Sequence, residues 1–289
     1  MKQMQLLINS LSLLGNRLIQ GISTFTLTTV IASNLGADQL GQYILALGYY
    51  SVFVTFFGLG LRTLFTRELA REGEKASVYL VSGSLLQLIL SIIAYILLAT
   101  VVFLMPYSAE TSTICYILGL SVIPFALSNI TEAIFQAQER MHLIAISTSP
   151  IYLLRVGAMI LVVLNSTHAI EYVAAIMVIS EVLILILQWL LLMRTVKPQW
   201  KIDLPFISDS FKAAKTLFAI DGVGVIAGKI DILLISLGSP AYMVISNTYH
   251  HIGGRASVVI EVGALIVSWS ESYTLQLKSK RFGRSRGLD

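Results

Sequence analysis

Seven stretches of this chain are apolar over about 20 residues, the length a helix needs to cross the hydrocarbon core of a bilayer. They fall near 10–32, 41–63, 78–104, 112–135, 146–164, 172–193 and 213–236. An eighth, 256–270, is short and carries Glu261. The turns at 33–40, 105–111 and 165–171 contain no Lys or Arg. The alternate segments hold Lys2, then Arg62, Arg67, Arg71 and Lys75, then Arg140, then Arg194, Lys197, Lys201, Lys212 and Lys215. Cytoplasmic loops collect Lys and Arg in this way. The pattern predicts an all-α polytopic membrane protein, its N-terminus cytoplasmic and its charge-free turns outside.

Composition excludes most other classes. Only 12% of residues are charged and mean hydropathy is +0.80, against about 25% charged in soluble domains. A formal charge of +4 reflects the one-sided loops rather than an acidic partner, so no nucleic acid is implied. Cys115 stands alone, which excludes an internal disulfide framework and a cysteine metal cluster. Neither a Walker-type phosphate loop nor H-E-x-x-H occurs, and Gly222-Val-Gly224 lies within a span and reads as helix packing. The histidines, His142, His168, His250 and His251, have no ligand partner at metal spacing. These absences imply no enzyme chemistry, no cofactor and no metal. Lys2 precedes a long span without an A-x-A site, so the first helix is expected to stay.

Polar groups inside the spans are the candidate functional residues, because charge in hydrocarbon is costly and turns toward protein or a water-filled cavity. Asn16, Gln20 and Ser23 recur at helical spacing, with Arg17, Thr24 and Thr28 in the adjacent row. The hydroxyls are expected to bond between helices, and the Arg17 guanidinium suits phosphate. Arg155, about two turns into the fifth span, is the second phosphate candidate. Asn129, Glu132 and Gln136 share a face in the fourth span, with Pro124 as a kink above them. Glu132 is expected to pair with Arg17 or Arg155, or to relay protons; Glu181, mid-span in the sixth helix, is a proton-site candidate. In the seventh span, Asp221, Lys229 and Asp231 are embedded. Lys229 and Asp231 point to nearly opposite sides of a helix, so they cannot satisfy each other.

The stretch around the second span carries a family resemblance. It reads Asn34-Leu-Gly-Ala-Asp38, Gly41-Gln-Tyr43, an apolar span, Leu59-Gly-Leu61 and Arg67-Glu-Leu-Ala-Arg71. This resembles the second helix of Wzx-type oligosaccharide flippases of the multidrug/oligosaccharidyl-lipid/polysaccharide exporter superfamily. Gly58 stands where that family usually has an acid. The resemblance implies a two-lobe flippase fold, of which residues 1–193 would be a six-helix N-terminal lobe. Residues 194–212 would be a cytoplasmic interfacial linker, with Pro198 and Pro205 as helix breakers and Trp200, Phe206 and Phe211 at the membrane interface. Residues 213–240 would then start the second lobe. Ile31-Ala-Ser-Asn-Leu-Gly36 and Leu234-Ile-Ser-Leu-Gly238 fit such a parallel repeat.

The activity implied is translocation of an undecaprenyl-pyrophosphate-linked oligosaccharide across the bacterial inner membrane, for polysaccharide or O-antigen biosynthesis. Arg17, Arg155 and Lys229, with Asn16 and Gln20, would hold the pyrophosphate. Glu132, Glu181, Asp221 and Asp231 would couple the motion to protons or sodium. The partners implied are the lipid-linked oligosaccharide, membrane lipid, and a polysaccharide polymerase and glycosyltransferases. The alternatives are a multidrug/cation antiporter of the same superfamily and a non-transporting membrane fragment. Residues 241–289 depart in character and end in Lys278, Lys280, Arg281, Arg284 and Arg286. A frameshift near Ala241 or a short eighth helix would account for that tail.

Overall fold

The computed structural model describes residues 2–58, 60–71, 76–166, 168–198, 200 and 202–214. The embedded Asp221, Lys229 and Asp231, and everything expected of 215–289, lie outside the described residues. Within them every regular element is a helix, and no strand occurs. The elements are α1 (Lys2–Gly58), α2 (Leu61–Arg71), α3 (Ala76–Val78), α4 (Ser84–Leu104), α5 (Ala109–Gly119), α6 (Val122–Ala137), α7 (Met141–Asn165) and α8 (Ala169–Met193). A π-helical turn, Tyr79–Gly83, joins α3 to α4 in one rod. Five helical stretches are long and apolar enough to cross a membrane: Leu14–Thr55, Ala76–Leu104, Ala109–Ala137, Met141–Asn165 and Ala169–Met193. The chain is a multi-pass membrane protein.

The first stretch does not run straight. Asn16 Oδ1 accepts hydrogen bonds from the Thr148 and Ser149 hydroxyls of α7, at 3.0 and 3.1 Å. Two turns further along α7, Arg155 meets Glu181 of α8. Two turns back along α8, Gln188 meets Thr131 and Glu132 of α6, and Glu132 meets Arg62. Asn16 and Arg62 therefore lie toward the same end of the bundle, where an unbroken helix would set them roughly 70 Å apart. The chain reverses at Gly36, whose φ of 85° and ψ of −179° are open to glycine and closed to side chains with a Cβ. The expected turn at 33–40 is thus a single-residue break between two helical arms.

Two prolines have local effects on where helices stop and start. Pro124 has no N–H for the Leu120 carbonyl, and its ring crowds that oxygen. Accordingly α5 ends at Gly119, α6 begins at Val122, and Leu120 N–H bonds back to Ile117 O at 3.1 Å. Pro205, expected to break a helix, instead lies in the first turn of one spanning 204–214. There its missing N–H costs nothing. The Asp203 carboxylate caps this helix by accepting from Phe206 N–H at 3.0 Å.

Packing changes in kind along the bundle. Large apolar side chains of α4, α7 and α8 point outward, among them Phe103, Leu154, Leu161, Ile179, Ile186 and Leu190, as a lipid-facing surface requires. Between helices the contacts are close: a Cβ on Gly119 would lie 2.9 Å from Leu98 Cδ2, the small-residue packing that draws helices together in lipid. An apolar core of soluble type forms at the Arg62 end. Leu61, Leu64, Phe65 and Leu69 recur at amphipathic spacing on α2 and pack on Leu80, Ile130, Ile134 and Leu192. Phe206, expected at the interface, belongs to this core. Its ring lies 4.6 Å from Tyr79 and 5.9 Å from Phe65, while Trp200 is exposed.

Candidate functional site

The buried stripe of α8 includes Val173, Met177, Glu181, Ile184, Gln188 and Leu192, the three- and four-residue spacing of one helix face. Glu181 and Gln188 are thereby turned into the bundle two turns apart. Each gathers a polar cluster around it.

The first cluster sits midway along α7 and α8. Arg155 Nη1 donates to Glu181 Oε1 at 2.9 Å and lies 3.5 Å from Ser180 Oγ. The two side chains keep only 15% and 5% of their surface exposed. The guanidinium carbon lies 4.6 Å from the Tyr152 ring centroid, within cation–π range. Tyr43 and Tyr50 of α1 face the same pair, and Gln20 lies beside the Tyr152 hydroxyl. The expectation for Arg155 and Glu181 named each separately; the structure joins them. Arg155 does not snorkel to the interface, because a carboxylate one helix away supplies its charge partner.

The second cluster lies toward the Arg62 end. Arg62 Nη1 is 2.8 Å from Glu132 Oε2, with Gln188 Nε2 donating to Glu132 Oε1 at 3.2 Å and the Thr131 hydroxyl donating to Gln188 Oε1 at 2.5 Å. Glu132 therefore pairs with neither Arg17 nor Arg155, as a correction to the sequence reading. The physical reason is register. Gly58, Arg62 and Thr66 come level with Asn129, Glu132 and Gln136 on parallel rods, and Thr66 Oγ1 lies 3.4 Å from Gln136 Oε1. Asn129, Glu132 and Gln136 do share one face, but the cation they meet had been assigned to a loop.

Asn16 is buried and bonded to α7, whereas Arg17 is exposed and has no partner among the described residues. Three threonine hydroxyls of this arm bond within their own helix rather than across to another. Thr24, Thr28 and Thr29 donate back to Gln20, Thr24 and Phe25 carbonyls at 3.0, 2.8 and 2.9 Å, which satisfies them within α1. Gln87 of α4, which the sequence reading did not single out, is buried with neither amide atom bonded among the described residues. No cluster of metal-binding side chains occurs among the described residues. In a groove beside α2, lined in part by Arg67, Glu68, Asp203 and Asp209, two of the three acids already have cationic partners. Arg67 pairs with Glu68 at 3.0 Å and Lys212 with Asp209 at 3.5 Å.

A bundle of apolar rods with one charged pair buried midway along it defines a class: multi-pass membrane proteins with a polar interior. Comparison with known proteins gives the family. The profile described as "Polysaccharide biosynthesis protein" matches residues 6–247, and the chain belongs to that family. No curated protein matches it. Among solved structures it is similar to an outward-facing multidrug resistance MATE family transporter of the MOP superfamily, with a TM-score of 0.61 and 15% identity. That match covers 80% of this chain and 54% of the transporter. The fold is therefore that of MATE transporters, and this chain spans about half the length of the one it matches.

Proposed function

We propose that this protein moves a lipid-linked oligosaccharide carried on undecaprenyl pyrophosphate across the bacterial inner membrane, as a transporter and not an enzyme. Arg155 carries the reading: a guanidinium is held halfway along a membrane-crossing helix, where a cation needs a reason to be and a phosphate supplies one. Membership in a polysaccharide biosynthesis family supports the cargo. Arg17, on the exposed side of the first arm with Gln20 and Asn16 beside it, is the second contact for the pyrophosphate, and Lys229 the third. Glu181, Asp221 and Asp231 are the coupling carboxylates, while Glu132 is held by Arg62 and Gln188.

In this reading residues 1–193 are one lobe of six crossings, α1 contributing two, followed by the 194–212 linker and the first helix of a second lobe at 213–240. The basic ends of the rods lie in the cytoplasm, with the N-terminus, and the turns at Tyr107 and Ser166 outside. The polysaccharide polymerase and glycosyltransferases act on either side of this step.

The MATE neighbour favours a second reading, export of hydrophobic cations. Competition decides between them. The purified chain should retain a prenyl-pyrophosphate-linked oligosaccharide in preference to a hydrophobic cation, and Arg17→Ala should weaken that retention. The reverse preference would give the protein to the antiporter reading.

A further inference from the structure

We propose that Arg155 and Glu181 form an exchange pair: an oxyanion that takes Arg155 leaves Glu181 to take a proton. The inference rests on the transport reading above and adds the coupling step to it.

The geometry leaves Arg155 half committed. A guanidinium carries five N–H donors in a planar fork. Only Nη1 is engaged, by Glu181 Oε1 and Ser180 Oγ, while one face covers Tyr152. Nε and Nη2 have no partner among the described residues. That edge is the one that grips two oxygens of a phosphate at once. The side chain keeps 15% of its surface open, against 5% for Glu181, so an incoming group reaches the arginine first.

Charge balance dictates the rest. Arg155 and Glu181 together are neutral, and a phosphate added to them brings net negative charge into a low-dielectric interior, which is costly. A proton removes that cost, and Glu181 is where it can go. The charges acting on Glu181 are Arg155 and, more weakly, Glu132; Tyr50 of α1 and Tyr152 of α7 face it, Tyr43 faces Arg155, and α5 adds no acting group among the described residues. Tyrosine hydroxyls already carry their protons at neutral pH. Glu132 stays committed to Arg62 and Gln188. The solvent's buffer gives up a proton to a Glu181 oxygen as the anion settles on Arg155, and takes it back when the anion leaves. Cargo and proton are then linked, each strengthening the other's binding.

The test is calorimetric titration of the purified full chain with a prenyl pyrophosphate, in two buffers of different ionisation enthalpy, for wild type and Glu181→Gln. The same ligand in both cancels the ligand's own protonation. Wild type should take up about one proton more per ligand than Glu181→Gln, and Arg155→Lys should lose binding. A parallel arm uses inorganic pyrophosphate. If it yields the same extra proton, the pair reads the phosphate group; if only the prenyl ligand does, the lipid is read as well. Equal proton counts with binding intact would overturn the exchange while leaving the transport reading standing. Absence of prenyl pyrophosphate binding to folded wild type would overturn both. Should Glu181→Gln fail to fold, wild type alone decides: affinity for a prenyl sulfate, whose charge is fixed over the neutral range, must tighten as pH falls, and a flat profile refutes the exchange.

Discussion

Two ion pairs of the same composition sit about two helical turns apart in this bundle and do different things. Arg62–Glu132 lies beside an apolar core of soluble type, with 36% and 14% of its side chains exposed, and both Glu132 oxygens are bonded. Arg155–Glu181 lies among lipid-facing rods, with 15% and 5% exposed, one guanidinium edge unused and a ring against its face. The first is a closed fastening that pins α2 and α6 to α8. The second is complete in charge and incomplete in hydrogen bonds, which is the condition of a group with a further partner to meet.

That contrast can be broken by mutation. Glu181→Ala leaves a buried guanidinium without its charge partner and should cost the most, about 3–5 kcal/mol. Thermal unfolding of the detergent-solubilised protein would register it, and an Arg155→Met/Glu181→Leu double variant should recover much of the loss. If Glu181→Ala melts like wild type, the pair is not buried as described. Glu132→Ala should cost less, about 1 kcal/mol, because Arg62 can turn to water. A loss equal to that of Glu181→Ala would erase the distinction between the two pairs. Asp209→Ala removes an exposed partner of Lys212, at 70% and 78% exposure, and should leave the melting temperature unchanged.

How much of this could be read without coordinates follows the range of each signal. Span length and loop charge are local, and they identified a multi-pass helical protein. Position within a span is also local, and it singled out Glu181, which α8 buries. Partner choice is not local. Arg62 was assigned to a loop because nothing in its own segment shows that Gly58, Arg62 and Thr66 come level with Asn129, Glu132 and Gln136. A register match of that kind, cation at one position and acid at its counterpart, was the signal available. Pro205 misled for a related reason, since proline stops a helix from inside and starts one at its first turn. Thr24 and Thr28 of the polar stripe misled too, because a hydroxyl on a helix can satisfy itself on the preceding turn.

The central claim is that the mid-bundle Arg155, and not Arg62 at the end of the bundle, receives the phosphate. Prenyl pyrophosphate binding to the full chain, measured in parallel for wild type, Arg155→Ala and Arg62→Ala, tests it directly. Binding should be lost with Arg155→Ala and retained with Arg62→Ala. Retention with Arg155→Ala, or loss with Arg62→Ala alone, would contradict it.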